Sequence, residues 1–265
     1  MTTFTDTSQT LSELIDLSEK TAIVTGAAMG IGRGIAERLH EAGAQLVVAD
    51  LDGSEVGKVA DHLNADRSHS ALGLQTDVSN PSDARIMVNA AVRQFGGLDI
   101  LVNNAGIYPF CNFLEMDTVL FEHVLRVNLI GAFTAMQAAA RQMIKQGRGG
   151  KIINVTSIDA LHPSMVGLAA YDASKHGLWG LTKNVALELS QYGIAVNALA
   201  PGGVATPGTS TVEDPDAVSQ MTERIPEHRM ATADEMGRIA LFLASDLSSY
   251  LVGSQIVADG GLLLR

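Results

Sequence analysis

The chain alternates short, mostly apolar runs with longer amphipathic stretches. Apolar runs with little polar interruption are typical of strands that are buried on both faces, as in a parallel sheet. Five such strands are predicted, at residues 21–25 (TAIVT), 46–49 (LVVA), 100–102 (ILV), 152–155 (IINV) and 194–199 (IAVNAL).

Helical stretches separate the predicted strands, at residues 32–41, 81–95, 118–145 and 171–191. Each is long enough for the crossover that connects two parallel strands. Alternation of strand and helix predicts a parallel sheet with helices on both faces, and right-handed crossovers restrict the topology to a doubly wound sheet. We therefore predict an α/β, Rossmann-like fold in a single domain.

The predicted catalytic domain occupies residues 19–265, and two segments differ from its regular pattern. Residues 1–18 are mostly polar before the first basic residue, Lys20, and are predicted to form a flexible leader. The least regular stretch, residues 202–229, has four of the seven prolines inside it or just before it. Long irregular segments often cover ligands, so we predict a substrate lid at about residues 203–229.

Composition excludes several classes of function. Apolar residues make up 46% of the chain, enough for a large core, and the net charge of −11 argues against a nucleic-acid partner. With one cysteine, no HExxH motif and no histidine pair at helical ligand spacing, no metal site is predicted. The chain has neither a signal-peptide pattern nor an apolar run of about 18 residues, so we expect a cytoplasmic protein with no membrane partner.

Three glycines lie where the first predicted strand meets the first helix, within residues 26–32 (GAAMGIG). A helix N-terminus carries free N–H groups and partial positive charge, so such a turn binds phosphate without a basic side chain. The spacing GxxxGxG differs from the GxGxxG dinucleotide fingerprint. The turn alone is therefore equally compatible with an ordinary glycine-rich turn.

A carboxylate at the end of the second strand favours NAD as the cofactor. Asp50 lies 24 positions after Gly26, near the offset of about 20 residues at which an acidic side chain accepts hydrogen bonds from the adenosine ribose. The same charge repels the 2′-phosphate of NADP, and residues 28, 29 and 51 are not basic. The nearest basic residue able to reach a phosphate is Arg33.

Tyr171 and Lys175, in the segment YDASK, lie one helical turn apart and share a helix face. Composition alone produces a Tyr–Lys pair at this spacing often enough that the pair means little by itself. It becomes specific together with the glycine turn, Asp50, the NNAG segment at residues 103–106 and Ser157, each of which follows a predicted strand.

Together these motifs resemble those of the short-chain dehydrogenase/reductase family, and the resemblance covers residues 25–261. The matching segments, in order, are TGAAMGIG at residues 25–32, Asp77-Val78, NNAG at 103–106, Asn128, Ser157, YDASK at 171–175, Pro201-Gly202 with Thr206, and Asp259-Gly260-Gly261.

The resemblance implies an active-site tetrad of Asn128, Ser157, Tyr171 and Lys175. The spacing of 14 residues from Ser157 to Tyr171 is one longer than the family pattern, which leaves Thr156 as an alternative hydroxyl. The resemblance also places Asp77 and Val78 near adenine, and Val204 and Thr206 near the nicotinamide amide. The full set of expected cofactor-binding residues is Gly26, Met29, Gly30, Ile31, Gly32, Asp50, Asp77, Val78, Asn104, Ala105, Gly106, Tyr171, Lys175, Pro201, Gly202, Val204 and Thr206.

The tetrad's residue types suit the oxidation of an alcohol. Its hydroxyl proton must be removed as hydride leaves carbon, and a phenol with a pKa of about 10 is a poor base at neutral pH. The charge of Lys175 favours the phenolate of Tyr171, and Ser157 holds the substrate oxygen within reach. Asn128 is expected to divert a helix hydrogen bond and to hold a water that leads to Lys175.

Other polar and apolar residues near the motifs are more ambiguous. Asp159 and His162 lie between Ser157 and Tyr171, and we expect solvated loop residues there rather than substrate contacts. A further group flanks the motif segments and fits either an apolar substrate pocket or the core. Its members are Tyr108, Phe110, Leu161 and Met165.

The sequence thus predicts an NAD-dependent oxidoreductase that interconverts a small secondary alcohol and its ketone, with Tyr171 as general acid and base. One alternative is a 3-oxoacyl-carrier-protein reductase, against which Asp50 and the acidic net charge count. Another is a non-catalytic dinucleotide sensor, which would be expected to lack Tyr171 or Lys175. Apolar outer faces on the two longest helical stretches, with the family resemblance, predict a homotetramer.

Overall fold

A parallel sheet of seven strands forms the centre of the protein, in a computed structural model that describes residues 9–207 and 222–265. Its strands are β1 Thr21–Thr25, β2 Gln45–Asp50, β3 Ala71–Gln75, β4 Ile100–Asn103, β5 Gly150–Val155, β6 Ile194–Pro201 and, after the short strands β7 Val204–Ala205 and β8 Ala231–Thr232, β9 Gln255–Ala258. They lie in the order β3-β2-β1-β4-β5-β6-β9. The strand order reverses between β1 and β4, where the carboxyl ends of parallel strands open into a ligand-binding crevice.

Helices cover both faces of this sheet. They are α1 Leu11–Ile15, α2 Gly30–Glu41, α3 Gly53–Asp66, α4 Pro81–Phe95, α5 Thr118–Leu125, α6 Ala132–Gln146, α7 Ala169–Leu189 and α8 Ala233–Ala244, and a π-helical turn at Arg126–Gly131 joins α5 to α6. Alternate residues of β1 point to opposite faces, so Ala22 and Val24 pack with α2, α3 and α8, while Ile23 packs with α4, α6 and α7. The doubly wound sheet predicted from the sequence is confirmed.

All five predicted strands are present, and the sequence analysis missed β3 and β9 at the two edges of the sheet. An edge strand has a neighbour on one side only, so it needs fewer apolar residues. In β3, Gly73 and Gln75 interrupt the apolar pattern, and most of β9 is only half-buried. Neither strand therefore shows the continuous apolar run on which the prediction depended.

The predicted flexible leader is too long by several residues. Thr10 caps α1, since its side chain accepts a hydrogen bond from the Glu13 N–H and its own N–H donates to the Glu13 carboxylate. Leu17 is then buried in the core. Residues 9–18 thus belong to the fold, and residues 1–8 lie outside the described residues.

The predicted lid, at residues 203–229, lies partly outside the described residues, which omit 208–221. The segments on either side of that gap are brought together, because β7 pairs with β8 in parallel. This two-stranded ribbon lies just after β6, at the carboxyl edge of the main sheet. A substrate-covering role for the segment between β7 and β8 stays a prediction.

Among the described residues, one helical stretch, Thr118–Gln146, is long and apolar enough to cross a membrane by length and composition. The sequence did not predict it, because charged residues interrupt its apolar runs. Within the fold, Ala135, Met136, Ala139 and Met143 of this stretch are buried against the sheet. The apolar character of the stretch is therefore explained in part by core packing.

Candidate active site

The turn between β1 and α2 has a backbone that only glycine fits. Gly26 and Gly30 have φ angles of +65° and +57°, which L-residues with side chains rarely adopt. A Cβ at Gly32 would collide with the carbonyl oxygen of Gly26. Met29 precedes α2 and gives its N-terminus no side-chain cap. The first-turn N–H groups thus present an anion-binding end toward the crevice.

The NNAG segment after β4 is fastened to this glycine turn. Asn104 Nδ2 donates to the carbonyl oxygens of Thr25 and Gly26, at 3.0 Å each. In return, Thr25 Oγ1 accepts hydrogen bonds from the N–H groups of Asn104 and Ala105. Asn104 and Ala105 therefore lie beside the turn and hold it in position.

Asp50 ends β2 next to the same turn. Its Oδ2 accepts a hydrogen bond from the Ala28 N–H at 3.0 Å, and its Oδ1 accepts one from the Asp52 N–H at 3.1 Å. Arg33 does not approach this carboxylate, because it forms an ion pair with Glu37 on the surface of α2. The carboxylate at this position is thus not neutralised by Arg33.

The remaining expected cofactor residues line the same edge of the sheet. Asp77 follows β3, where its carboxylate accepts from the Ser79 N–H, and the carbonyl of Val78 packs against the π turn at Gly131. After β6, the Gly202 N–H donates to Ala258, and Val204 is buried. A Cβ at Gly30 would lie 3.3 Å from the side chain of Thr206, so the loop after β6 reaches the glycine turn.

Asn128 lies within the π turn, a distortion of the α-helix that is frequent at functional sites. Its Oδ1 accepts from the Ile107 N–H, and its Nδ2 donates to the Ile107 carbonyl and to Ser174 Oγ, at 2.8 to 3.0 Å. Both amide hydrogens are engaged, so the side chain has none left to donate to a water. Its Oδ1 still has a second lone pair that can accept from a water, and the expected water stays a prediction.

Ser157 follows β5 and faces the crevice, whereas Thr156 turns away from it. Thr156 Oγ1 lies within hydrogen-bond distance of the Leu199 carbonyl and Gln255 Oε1, on the other side of β5. Ser157 instead lies on the Tyr171 side, where its hydroxyl opposes the rise in the pKa of the Tyr171 phenol. The structure thus favours Ser157 over Thr156 as the active-site hydroxyl.

Tyr171 and Lys175 lie on the face of α7 that meets the crevice. Lys175 is 4% exposed, and its Nζ donates to the Val155 carbonyl at 2.8 Å and lies 5.6 Å from the centre of the Tyr171 ring. Burial lowers the pKa of Lys175 to about 8 and raises the pKa of Tyr171 above its ordinary value. Without a cofactor charge nearby, the phenol is therefore held in its protonated form.

A Cβ at Gly106 would lie 3.3 Å from Asn128 Oδ1 and 3.7 Å from Lys175 Nζ. The NNAG segment, the π turn and α7 therefore meet at one point. The structure thereby brings together the four residues of the expected tetrad, which are separated by up to 47 positions in the sequence.

Asp159 is not the solvated loop residue expected from the sequence. It is half-buried, and its Oδ2 accepts a hydrogen bond from the Ser157 hydroxyl at an Oγ–Oδ2 distance of 3.0 Å. The short helical turn Ile158–Ala160 after Ser157 fixes this pair, a contact that linear sequence does not reveal. His162, by contrast, is exposed as expected.

Four apolar residues were expected either in a substrate pocket or in the core, and none of them is in the core. Tyr108, Phe110, Leu161 and Met165 are all exposed. The Tyr108 ring meets the Tyr171 ring edge-on, with ring centres 6.1 Å apart. Tyr108 thus borders the active site, and the other three side chains lie at the protein surface.

Comparison with known proteins identifies the family. The family model described as enoyl-(acyl carrier protein) reductase matches residues 26–263. The chain is 40% identical over 257 residues to L-rhamnose 1-dehydrogenase (NAD(P)(+)) of Azotobacter vinelandii, covering 94% of this chain and 98% of that protein. It is 36% identical over 248 residues to 3-oxoacyl-(acyl-carrier-protein) reductase FabG of Aquifex aeolicus, covering 94% and 99%.

A solved structure of a short-chain type dehydrogenase/reductase from Mycobacterium marinum superposes with a TM-score of 0.91 at 37% identity, covering 96% of this chain and 99% of that one. The fold and site thus define an oxidoreductase that interconverts alcohol and carbonyl groups with a nucleotide cofactor. The protein belongs to the short-chain dehydrogenase/reductase family.

Proposed function

We propose that this protein is an NAD-dependent dehydrogenase that oxidises a secondary alcohol of a small molecule to the ketone, and that it also runs the reverse reduction. The observation that carries the proposal is the cluster at the carboxyl edge of the sheet. There Lys175 is buried beside Tyr171, and the Ser157 hydroxyl lies close enough to the Tyr171 phenol to oppose the rise in its pKa.

The turn and loops beside this cluster fit a dinucleotide. Glycine at residues 26, 30 and 32 keeps side chains away from the N-terminus of α2, where a pyrophosphate binds. Asn104, Ala105 and Gly106 would line the same groove, Asp77 and Val78 would lie toward adenine, and Pro201, Gly202, Val204 and Thr206 toward the nicotinamide end. The bound nicotinamide supplies the hydride acceptor for oxidation and the hydride donor for reduction.

In the oxidation, Tyr171 accepts the hydroxyl proton of the alcohol. Its raised pKa requires positive charge nearby, which Lys175 supplies from one helical turn away. Ser157 hydrogen-bonds the substrate oxygen and fixes its distance from the phenol oxygen. In the reduction, Tyr171 returns the proton to the developing alkoxide.

The reaction is tested with a panel of secondary alcohols and sugars, including L-rhamnose, each supplied with NAD or NADP. The readout is absorbance of the reduced nicotinamide. Oxidation of at least one alcohol with NAD supports the proposal. Activity only on 3-oxoacyl thioesters with NADPH would instead establish the carrier-protein reductase alternative, and no activity on any alcohol would refute the proposed reaction.

Replacement of Asp50 by alanine is expected to weaken NAD binding and to reduce discrimination against NADP. Asp50 would accept charged hydrogen bonds from the ribose hydroxyls, whose loss costs about 1 to 3 kcal/mol. NAD and NADP dissociation constants measured by cofactor fluorescence check this. Asp61→Ala, an exposed carboxylate on α3, is the matched control. Equal catalytic efficiency of the unmodified enzyme with both cofactors would contradict the assignment.

We also propose that the protein is a cytoplasmic homotetramer. Large apolar side chains are exposed on α5, α6 and α7 and on the π turn, and a monomer would leave them in contact with water. The exposed residues are Val119, Ile130, Phe133, Ile144 and Leu187. Paired helices from two subunits would bury them.

Light scattering at micromolar concentration is expected to give four times the chain mass of 27.9 kDa. Phe133→Glu should lower that mass, because it places a charge in the proposed helix interface. Arg141→Glu, a charge change at an exposed position of α6, is the control. A monomeric mass for the unmodified protein would contradict the proposal.

A further inference from the structure

Asp159 and Ser157 form a closed hydrogen-bonded pair at the active site. Ser157 Oγ donates to Asp159 Oδ2 at 3.0 Å, and the Asp159 N–H donates back to Ser157 Oγ at 3.1 Å. Two contacts from one residue fix the carboxylate relative to the serine hydroxyl. The carboxylate is therefore held beside the position that the substrate oxygen takes in the proposed reaction.

The carboxylate of Asp159 has no cation within contact distance among the described residues, although Lys175 and His162 act on it from further away. Within residues 9–207 and 222–265 it forms no ion pair, and its Oδ1 has no protein hydrogen-bond donor. Oδ1 is also not among the fully buried atoms without a partner, so it keeps some exposed surface. Burial raises the pKa of the Asp159 carboxyl, and a hydrogen-bond donor on Oδ1 would relieve that cost.

The serine hydroxyl has only one proton to give. That proton is engaged in the hydrogen bond to Asp159 Oδ2. A substrate oxygen that needs a donor from Ser157 must therefore compete with a charged acceptor, and charge-assisted hydrogen bonds are the stronger kind. The competition is weakened if the substrate gives Asp159 another donor, because the charge of the carboxylate is then shared between two hydrogen bonds.

We propose that Asp159 is a specificity-determining residue that accepts a hydrogen bond from a second hydroxyl on the carbon next to the reacting one, so that the preferred substrates are vicinal diols and polyols. Two oxygens on adjacent carbons are spaced about as far apart as two hydrogen-bonded oxygens. One therefore fits at Tyr171 and Ser157 while its neighbour reaches Asp159. The contact weakens the bond between Ser157 and Asp159, so the Ser157 proton turns more readily toward the reacting oxygen.

This inference rests on the proposed alcohol oxidation. It adds a second hydroxyl to what the substrate must carry, a requirement that the tetrad alone does not impose. A simple alcohol leaves the Ser157 hydroxyl hydrogen-bonded to Asp159. The exposed apolar side chains of Tyr108 and Leu161 near the crevice suit the hydrocarbon side of a substrate. Cyclohexane-1,2-diol and cyclohexanol are therefore suitable probes, because they share one carbon skeleton and differ in a single hydroxyl.

The experiment compares kcat/KM for the two probes at saturating NAD. The unmodified enzyme is expected to prefer the diol by at least about tenfold, the effect of one hydrogen bond to a charged group. Asp159→Asn is expected to bring this preference close to one, mainly through loss of activity on the diol. Asp159→Ala should do the same, while Asp172→Asn, which alters a carboxylate bonded to Ser164, should leave the preference unchanged.

The preference is the ratio of the two kcat/KM values within one variant, so a smaller fraction of folded enzyme does not change it. Measured NAD affinity shows whether each variant keeps an intact cofactor site. If neither probe is turned over, their inhibition constants against an alcohol that the enzyme oxidises provide the same ratio. A ratio near one in the unmodified enzyme, or an unchanged ratio in Asp159→Asn, overturns the inference and leaves the proposed dehydrogenase intact. Failure to oxidise any alcohol refutes the proposed function itself.

Discussion

Tyr171→Phe is expected to lower the rate of alcohol oxidation by about 10²- to 10⁴-fold, the range for loss of a general base. Phenylalanine keeps the ring that packs against Tyr108 but removes the oxygen that accepts the proton. NAD affinity should change little, because the hydroxyl is expected to act mainly on the substrate. The measurements are kcat with an alcohol identified in the panel and the dissociation constant for NAD.

Tyr192→Phe is the matched control, since Tyr192 is exposed at the far end of α7. It loses the same hydroxyl away from the crevice and should retain normal activity. Near-normal turnover by Tyr171→Phe would show that the proposed proton acceptor is wrong. Ser157 or the nearby His162 would then have to be tested as the base.

Lys175→Met is expected to reduce oxidation by at least about 10²-fold and to shift the remaining activity to higher pH. Lys175 provides the positive charge that favours the phenolate, so the pKa of Tyr171 should be higher without it. A pH–rate profile measures both effects. Lys183→Met, an exposed lysine two turns further along α7, is the control and should leave the profile unchanged. A profile identical to that of the unmodified enzyme would contradict this role for Lys175.

Stability provides an independent measure of the burial of Lys175. In the cofactor-free fold its pKa is lowered to about 8 from 10.5, so the unfolded chain binds the proton more tightly. The cost of burying the charge is present in full below about pH 8 and disappears as the pH rises toward 10.5. Relative to Lys175→Met, the unmodified protein should therefore gain stability across this window, measured by urea unfolding.

The sequence predicted the central strands because burial on both faces requires continuous apolar residues, as β1 shows from Thr21 to Thr25. It did not predict β3 and β9, whose edge positions relax that requirement. The predicted leader was too long because a five-residue helix without buried residues, followed by one buried leucine, Leu17, leaves little periodic signal. The sequence thus predicted the general architecture better than it predicted the edge strands and the start of the fold.

For the candidate site, too, the sequence predicted the general arrangement but not the individual contacts. The motifs predicted which segments meet at the carboxyl edge of the sheet, since parallel strands bring their ends together. They did not predict the contact between Asp159 and Ser157, which depends on the turn of chain after β5. Nor did they reveal that the Asn128 amide is bonded to Ile107 and Ser174, contacts made only in the folded chain.

The most direct test of the proposed reaction follows the hydrogen itself. An alcohol that the enzyme oxidises is prepared with deuterium on the reacting carbon and incubated with NAD, and the reduced cofactor is examined by mass spectrometry. The account predicts that each reduced cofactor carries one deuterium from the alcohol, and that Tyr171→Phe slows its appearance. Reduced cofactor without deuterium, or deuterium released to water instead, would contradict direct hydride transfer between the alcohol and the nicotinamide.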